Sequence, residues 1–193
     1  MEQLVIGSEG TLGIITQVTL KLQPLPPYKI DMLAIFHDQM AAIGVVPQLV
    51  KAGIDPTSIE YMDNPNVRTT SEYLEFPGAP HIEDGIYVII TIETFNEDEL
   101  DMKMEQASDI CEAAGAVDVL EADERIWSMR RNCLESVSLI SKVCTTDDVV
   151  VPVDEMSDMI QYIIKTVAKY PFPLRINAHI GDGNLHIVLC KLD

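Results

Sequence analysis

Residues 173–191 read "PLRINAHIGDGNLHIVLCK", and this stretch constrains the fold more than any other. Two alternating runs meet at Gly181-Asp182-Gly183-Asn184, a cluster of turn-forming residues in which glycine permits positive φ. The pattern predicts strands at 173–180 and 185–191 joined by the loop 181–184, with Ile180 facing Leu185 and His179 facing His186. Further down, Asn177 faces Val188 and Arg175 faces Cys190. Side chains alternate, so Ile176, Ala178, Ile180, Leu185, Ile187 and Leu189 share one face. That face has to be covered by other elements. Arg175, Asn177, His179, His186, Val188 and Cys190 share the other.

The elements upstream supply the cover. "KIDMLAIF" (29–36) reads as a strand, and Asp38 can cap a helix running to Lys51 with Gly53 as its stop, despite Pro47. "TSIEYM" (57–62) is a short strand and "IYVIITIE" (86–93) a strong one, with a polar, partly helical stretch between them. An acid-led helix follows at 97–115, then the strand "VDVLE" (117–121). The order β-α-β-β-α-β is that of a ferredoxin-like unit. A second pass follows: a helix over 122–141, a strand at 147–153, a helix at 154–170 and the hairpin. That is β-α-β-β, a second unit short of one helix and one strand. The expected fold is α+β, a mainly antiparallel sheet with helices packed on it, in two ferredoxin-like units.

The beginning of the chain differs from the rest. "GSEGTLGIITQVTLKL" (7–22) is a glycine-rich turn feeding a strand, and "QPLPP" (23–27) reads as a stiff linker. Such a start reads as the tail of something larger. With 47% hydrophobic residues among 193, the chain can fill a core. It has no apolar run near the roughly 20 residues of a membrane helix and no secretory leader pattern, so it reads as soluble and cytoplasmic. A net charge of −18, from 31 acidic against 13 basic residues, argues against nucleic acid as a partner. The four cysteines show no CxxC spacing and read as buried, reduced thiols.

Scarce cations make each arginine informative. Arg131 lies four before Glu135 and Arg125 four after Glu121, the spacing of surface ion pairs on a helix. Arg130 has Ile126, Trp127, Cys133 and Leu134 as helical neighbours, an apolar face, so its charge needs an anionic partner. Two imidazoles opposed across a hairpin stand about 5 Å apart at Cβ and can chelate one divalent ion. The plainer alternative is that both rings face water.

"HIGDGNLH" (179–186) resembles the signature of the C-terminal domain of FAD-linked oxidases, flavoenzymes of the D-lactate dehydrogenase, glycolate oxidase and D-2-hydroxyglutarate dehydrogenase type. "GSEGTLGIITQVTLKL" is similar to the end of that family's FAD-binding domain, and "DDVVVP" (147–152) and "RIWSMRR" (125–131) match in the right order. The resemblance implies that residues 1–27 are the tail of a FAD-binding domain plus linker, and 28–193 a truncated substrate domain. It assigns divalent-metal binding, zinc foremost, to His179 and His186, and a place near flavin and substrate to Asn184. It assigns FAD contacts to Gly7, Gly10, Thr11, Gly13 and Ile15, and the substrate carboxylate to Arg130; Arg130, Asn184 and His186 are thus the candidate catalytic residues. The implied reaction passes hydride from C2 of a small 2-hydroxy acid to FAD, with an electron-transfer flavoprotein or a quinone as later acceptor. The family's third metal ligand, a glutamate, falls beyond Asp193, and Thr146 stands where some relatives carry a lysine. A chain of this extent is expected to catalyse nothing alone. The rival expectation is a stand-alone metal-binding or interaction module of ferredoxin-like units.

Overall fold

The computed structural model describes residues 2–191. After a short helix α1 (Glu2–Val5) come β1 (Tyr28–Phe36), α2 (Gln39–Lys51), β2 (Ser58–Met62), α3 (Asn64–Tyr73), β3 (Ile86–Thr94), α4 (Glu97–Ala113) and β4 (Asp118–Glu121). The second half holds α5 (Glu124–Arg131), α6 (Cys133–Ser136), β5 (Cys144–Val150), α7 (Met156–Val167), β6 (Leu174–His179) and β7 (Asn184–Cys190).

All seven strands form one sheet in the order β4-β1-β3-β2-β6-β7-β5, with every neighbouring pair antiparallel. The first four give the ferredoxin-like order, and the last three repeat it without a final helix and strand. The two units join through β2 and β6, with Glu60 opposite His179, Tyr61 opposite Ala178 and Met62 opposite Asn177. Beyond that short ladder, Asp63 accepts from the Ile176 amide at 2.7 Å, and Asn66 donates to the Ile176 carbonyl at 3.0 Å.

Helices cover both faces. Ala42 and Leu49 of α2, Ala107 and Cys111 of α4, and Met156 and Ile160 of α7 pack on one side with the apolar face of the hairpin. Val67 of α3, Ile126 and Met129 of α5, and Cys133 of α6 pack on the other, against Leu33, Ile35, Tyr87 and Ile89. This explains why β3 is apolar without alternation: it is buried from both sides. The caps act as expected: Asp38 accepts from the Ala41 amide at 2.7 Å, and Gly53 and Gly115 take the positive φ that ends α2 and α4.

Several expectations are corrected. The helix expected over 122–141 breaks at Asn132, so Glu135 is not one turn beyond Arg131. Arg131 pairs with Glu124 instead, and Arg125 with its own helix cap Asp123 at 2.7 Å. The strand expected at 147–153 starts earlier, at Cys144, and Cys144 is exposed while the other three thiols are buried. Residues 14–22 form no strand: the segment is exposed, Ile14 to 92%, with no pairing strand among the described residues. Alternation alone cannot make a strand, because its amide and carbonyl groups need an edge to bond.

The hairpin keeps its expected faces but shifts its register by two. Asn177 pairs with His186, Ala178 with Leu185 and His179 with Asn184. Ile180 is drawn into the turn because its side chain is fully buried in the core. Gly183 takes φ of 77° and lies so near the neighbouring segment that a Cβ there would stand 2.0 Å from the Val151 carbonyl oxygen. The Val151 amide in turn donates to the Gly183 carbonyl at 3.0 Å. The end of "DDVVVP" is therefore clamped to the Gly-Asp-Gly-Asn turn.

Candidate functional site

The polar face of the hairpin is where the candidate residues meet. His179 and His186 are diagonal rather than opposite, and their rings still come together, centroids 5.0 Å apart and nearly perpendicular. Each ring is held from behind by a carboxylate. Nδ1 of His179 lies 2.9 Å from Glu60 Oε1 and 2.8 Å from Oε2. Nδ1 of His186 bonds Asp148, its cross-strand neighbour on β5. An ionised carboxylate only accepts, so in a neutral imidazole this arrangement favours the tautomer with the proton on Nδ1 and the lone pair on Nε2.

Arg130 of α5 turns inward over the same face. Its Nε donates to Glu60 Oε2 at 3.0 Å and its Nη1 to Asn177 Oδ1 at 3.1 Å. Nη2 lies 2.8 Å from the same Glu60 oxygen, close enough for charge attraction. It is not aligned for a hydrogen bond of its own, so this buried nitrogen remains an unused donor. The anionic partner required by the apolar helix face is thus Glu60, whose side chain is only 10% exposed. Glu60 touches both Arg130 and His179, and is the residue that sequence reading missed.

Three more buried polar atoms lie without partners among the described residues: Asn184 Oδ1, beside the histidines, Trp127 Nε1, three residues before Arg130, and Arg175 Nε. Thr146 is in β5 opposite Val188, on the same strand face as Asp148. Behind the site, burial pushes Asp63 up from 3.8 to about 6, although the Asn66 and Ile176 amides and the Arg175 charge act against it. Burial likewise pushes the Cys133 thiol up to about 12, which makes it an inert packing group.

Gly7, Gly10, Thr11, Gly13 and Ile15 are not brought to this face by any strand pairing. They are exposed, and a Cβ at any of the three glycines would meet nothing within 4 Å. Gly7 and Gly10 do take positive φ, the turn expected of them. For a divalent ion the donor set does fit: two imidazoles with free Nε2 atoms, each oriented by a carboxylate, which is a common arrangement at zinc.

The same architecture recurs in solved structures. That of an alkyldihydroxyacetonephosphate synthase superposes with a TM-score of 0.68 at 18% identity, over 99% of this chain and 42% of that one. A p-cresol methylhydroxylase structure gives 0.63 at 10% identity, over 89% of this chain and 40% of its own. The chain thus shares its fold with part of each of these proteins. More specifically, the family described as FAD linked oxidases, C-terminal domain, matches residues 25–191, and the chain belongs to it. A D-lactate dehydrogenase of Anaerostipes hadrus is 35% identical over 98% of this chain and 42% of its own length. The glycolate oxidase subunit GlcD of Bacillus subtilis is 32% identical over 96% and 40%. The chain spans about two-fifths of the length of these relatives. Among the described residues no helix is long and apolar enough to cross a membrane.

Proposed function

We propose that this chain is the substrate-binding part of a FAD-dependent dehydrogenase or oxidase acting on a small 2-hydroxy acid of the D-lactate or glycolate type. Residues 1–27 then belong to the FAD-binding side and 28–193 to the substrate domain. The observation that carries the reading is the convergence of Arg130, His179 and His186 on one sheet face, with Glu60 touching the first two.

Arg130 binds the substrate carboxylate with the donor capacity of its guanidinium that Glu60 and Asn177 leave over. Glu60 fixes the plane of the guanidinium and presents Nε2 of His179 outward; Asp148 does the same for His186. A divalent ion of the zinc class held by His179 and His186 supplies polarisation of the 2-hydroxyl when bound. Asn184, with its unpartnered Oδ1, stands beside both histidines as an acceptor for that hydroxyl. The hydride acceptor is the flavin of the family, which residues 7–15 by themselves do not enclose; onward transfer to an electron-transfer flavoprotein or quinone fits the same reading.

Steady-state kinetics of the full-length protein with D-lactate and glycolate test this. Arg130→Lys replaces a planar fork with a point charge, so KM rises and kcat falls, with kcat/KM lowered about 30-fold or more, a loss of about 2 kcal/mol of transition-state stabilisation. An unchanged kcat/KM refutes the role of Arg130.

A further inference from the structure

We propose that His37, His81 and Asp84 form a second, surface site for a divalent transition-metal ion of the zinc class. His37 directly follows β1, and His81 and Asp84 lie in the turn before β3; Phe36 and Ile86 are register partners, so the two ends adjoin. One ring nitrogen of each histidine and a carboxylate oxygen of Asp84 all lie within 4.8 Å of one another. His37 Nε2 is 3.3 Å from Asp84 Oδ1. That matches the edge, about 3.4 Å, of a tetrahedron with metal–ligand bonds of about 2.1 Å.

The turn that presents two of these donors is stiff. Asn64 Nδ2 donates to the carbonyls of Ile82 and Gly85, each at 3.1 Å, and the Tyr87 hydroxyl donates to the Pro80 carbonyl. A Cβ at Gly85 would stand 2.6 Å from the His81 carbonyl oxygen, so only glycine closes the turn. His81 itself takes φ of 47°, a conformation that histidine adopts more readily than most side chains.

A surface ion pair between His37 and Asp84 is the plainer account, but such exposed pairs are worth little. It pairs His81 separately with Asp118 and does not account for the approach of the two histidine rings, 5.9 Å apart. Two protonated imidazoles there would repel; two neutral ones with a carboxylate are a ligand set for zinc, nickel or copper. Asp118, 3.5 Å from His81 Nε2, adds a second carboxylate at the edge, and the net charge of −18 concentrates cations nearby. The site is separate from the His179–His186 face. Glu60 of that face pairs with Ile89, four residues along β3 from Gly85, or about 13 Å.

Calorimetry of this chain with Zn²⁺ decides the matter in the His179→Ala/His186→Ala background, which isolates the surface site from the one proposed above. One equivalent of zinc should remain bound. Adding His37→Ala and His81→Ala should weaken it at least about 100-fold, beyond the 10–100-fold typical of losing an outer partner, and Asp118→Asn about tenfold. These side chains are exposed, so circular dichroism should show the apo fold intact; His37→Gln, which keeps the bulk, serves as the second variant. Visible bands of bound Co²⁺ should disappear in the same variants. Zinc binding unaltered by the histidine changes, or no binding by the folded background protein, overturns the proposal.

Discussion

Glu60→Gln tests whether the buried carboxylate organises the site. Three contacts converge on it: Arg130 Nε at 3.0 Å, Arg130 Nη2 at 2.8 Å and His179 Nδ1 at 2.9 Å. Glutamine keeps the volume but offers only one oxygen. Whichever way its amide turns, an NH₂ group faces either the guanidinium or the imidazole N–H, donor against donor. A buried unsatisfied donor costs about 1–3 kcal/mol, and breaking a buried ion pair from one side about 3–5 kcal/mol. With both side chains only about one-tenth exposed, at 11% and 10%, solvent screens little of this, so the loss should be about 3 kcal/mol.

Urea unfolding of Glu60→Gln, Arg130→Met and the double variant measures it. With a slope of about 2 kcal/mol per molar, the midpoint should fall by about 1.5 M. The double variant should lose less than the sum of the singles, with a coupling of about 1 kcal/mol or more, because it removes the pair rather than stranding a charge. Nitrogen NMR should show His179 protonated at Nδ1 in the parent chain and a mixture of tautomers in Glu60→Gln. A loss below about 0.5 kcal/mol, or strict additivity, refutes the reasoning.

Asp63 gives a pH signature: its folded pKa of about 6 lies above the ordinary 3.8, so the folded state holds the proton more tightly. Stability from this group is fully present below about pH 4 and falls as pH rises through 6, by about 3 kcal/mol; pH-dependent denaturation of the parent chain should show this fall relative to Asp63→Asn, and parallel profiles would refute it. Gly183→Ala should destabilise by about 3 kcal/mol or more, since it combines positive φ with a Cβ 2.0 Å from the Val151 oxygen; a thermal midpoint unchanged within error would refute the clamp. The isolated chain should retain no flavin through purification, because residues 7–15 provide no wall around a dinucleotide that needs most of its surface covered; stoichiometric flavin absorbance would overturn the assignment of residues 1–27.

What was legible in the sequence was parity and period; what was not was partnership. The alternation of 173–191 placed Asn177, His179 and His186 on one face, and a slip by two residues leaves that parity intact. The register itself depends on whether Ile180 belongs to strand or turn, which its burial under other elements decides. Arg130 was visible as an arginine among apolar neighbours. Its partner Glu60 is 70 residues away, and the bond between Glu60 and His179 spans 119. "TSIEYM" did show an acid between Ile59 and Tyr61 of a short strand, the one local signal that this carboxylate had a use. The break at Asn132 was hidden because asparagine is only a weak helix breaker. Arg125 and Arg131 found nearer carboxylates than the helical spacing suggested.

If the chain binds a hydroxy-acid anion as proposed, the charges at the site have to overcome its overall acidity. With both imidazoles neutral, as metal ligands are, Glu60 and Asp148 outweigh Arg130 by one negative charge. A hydroxy-acid carboxylate would then be repelled, and its only attraction would be the spare donors of a guanidinium already paired. A divalent ion on His179 and His186 reverses the sign and leaves one positive charge to be matched by one carboxylate. On the proposed reading, metal and substrate binding are therefore coupled through local charge, and the overall −18 keeps other polyanions away from the face. On the same reading Glu60 would sit at the hinge of that coupling: it pairs with Arg130 and with the His179 imidazole, and so would compensate the one and orient the other.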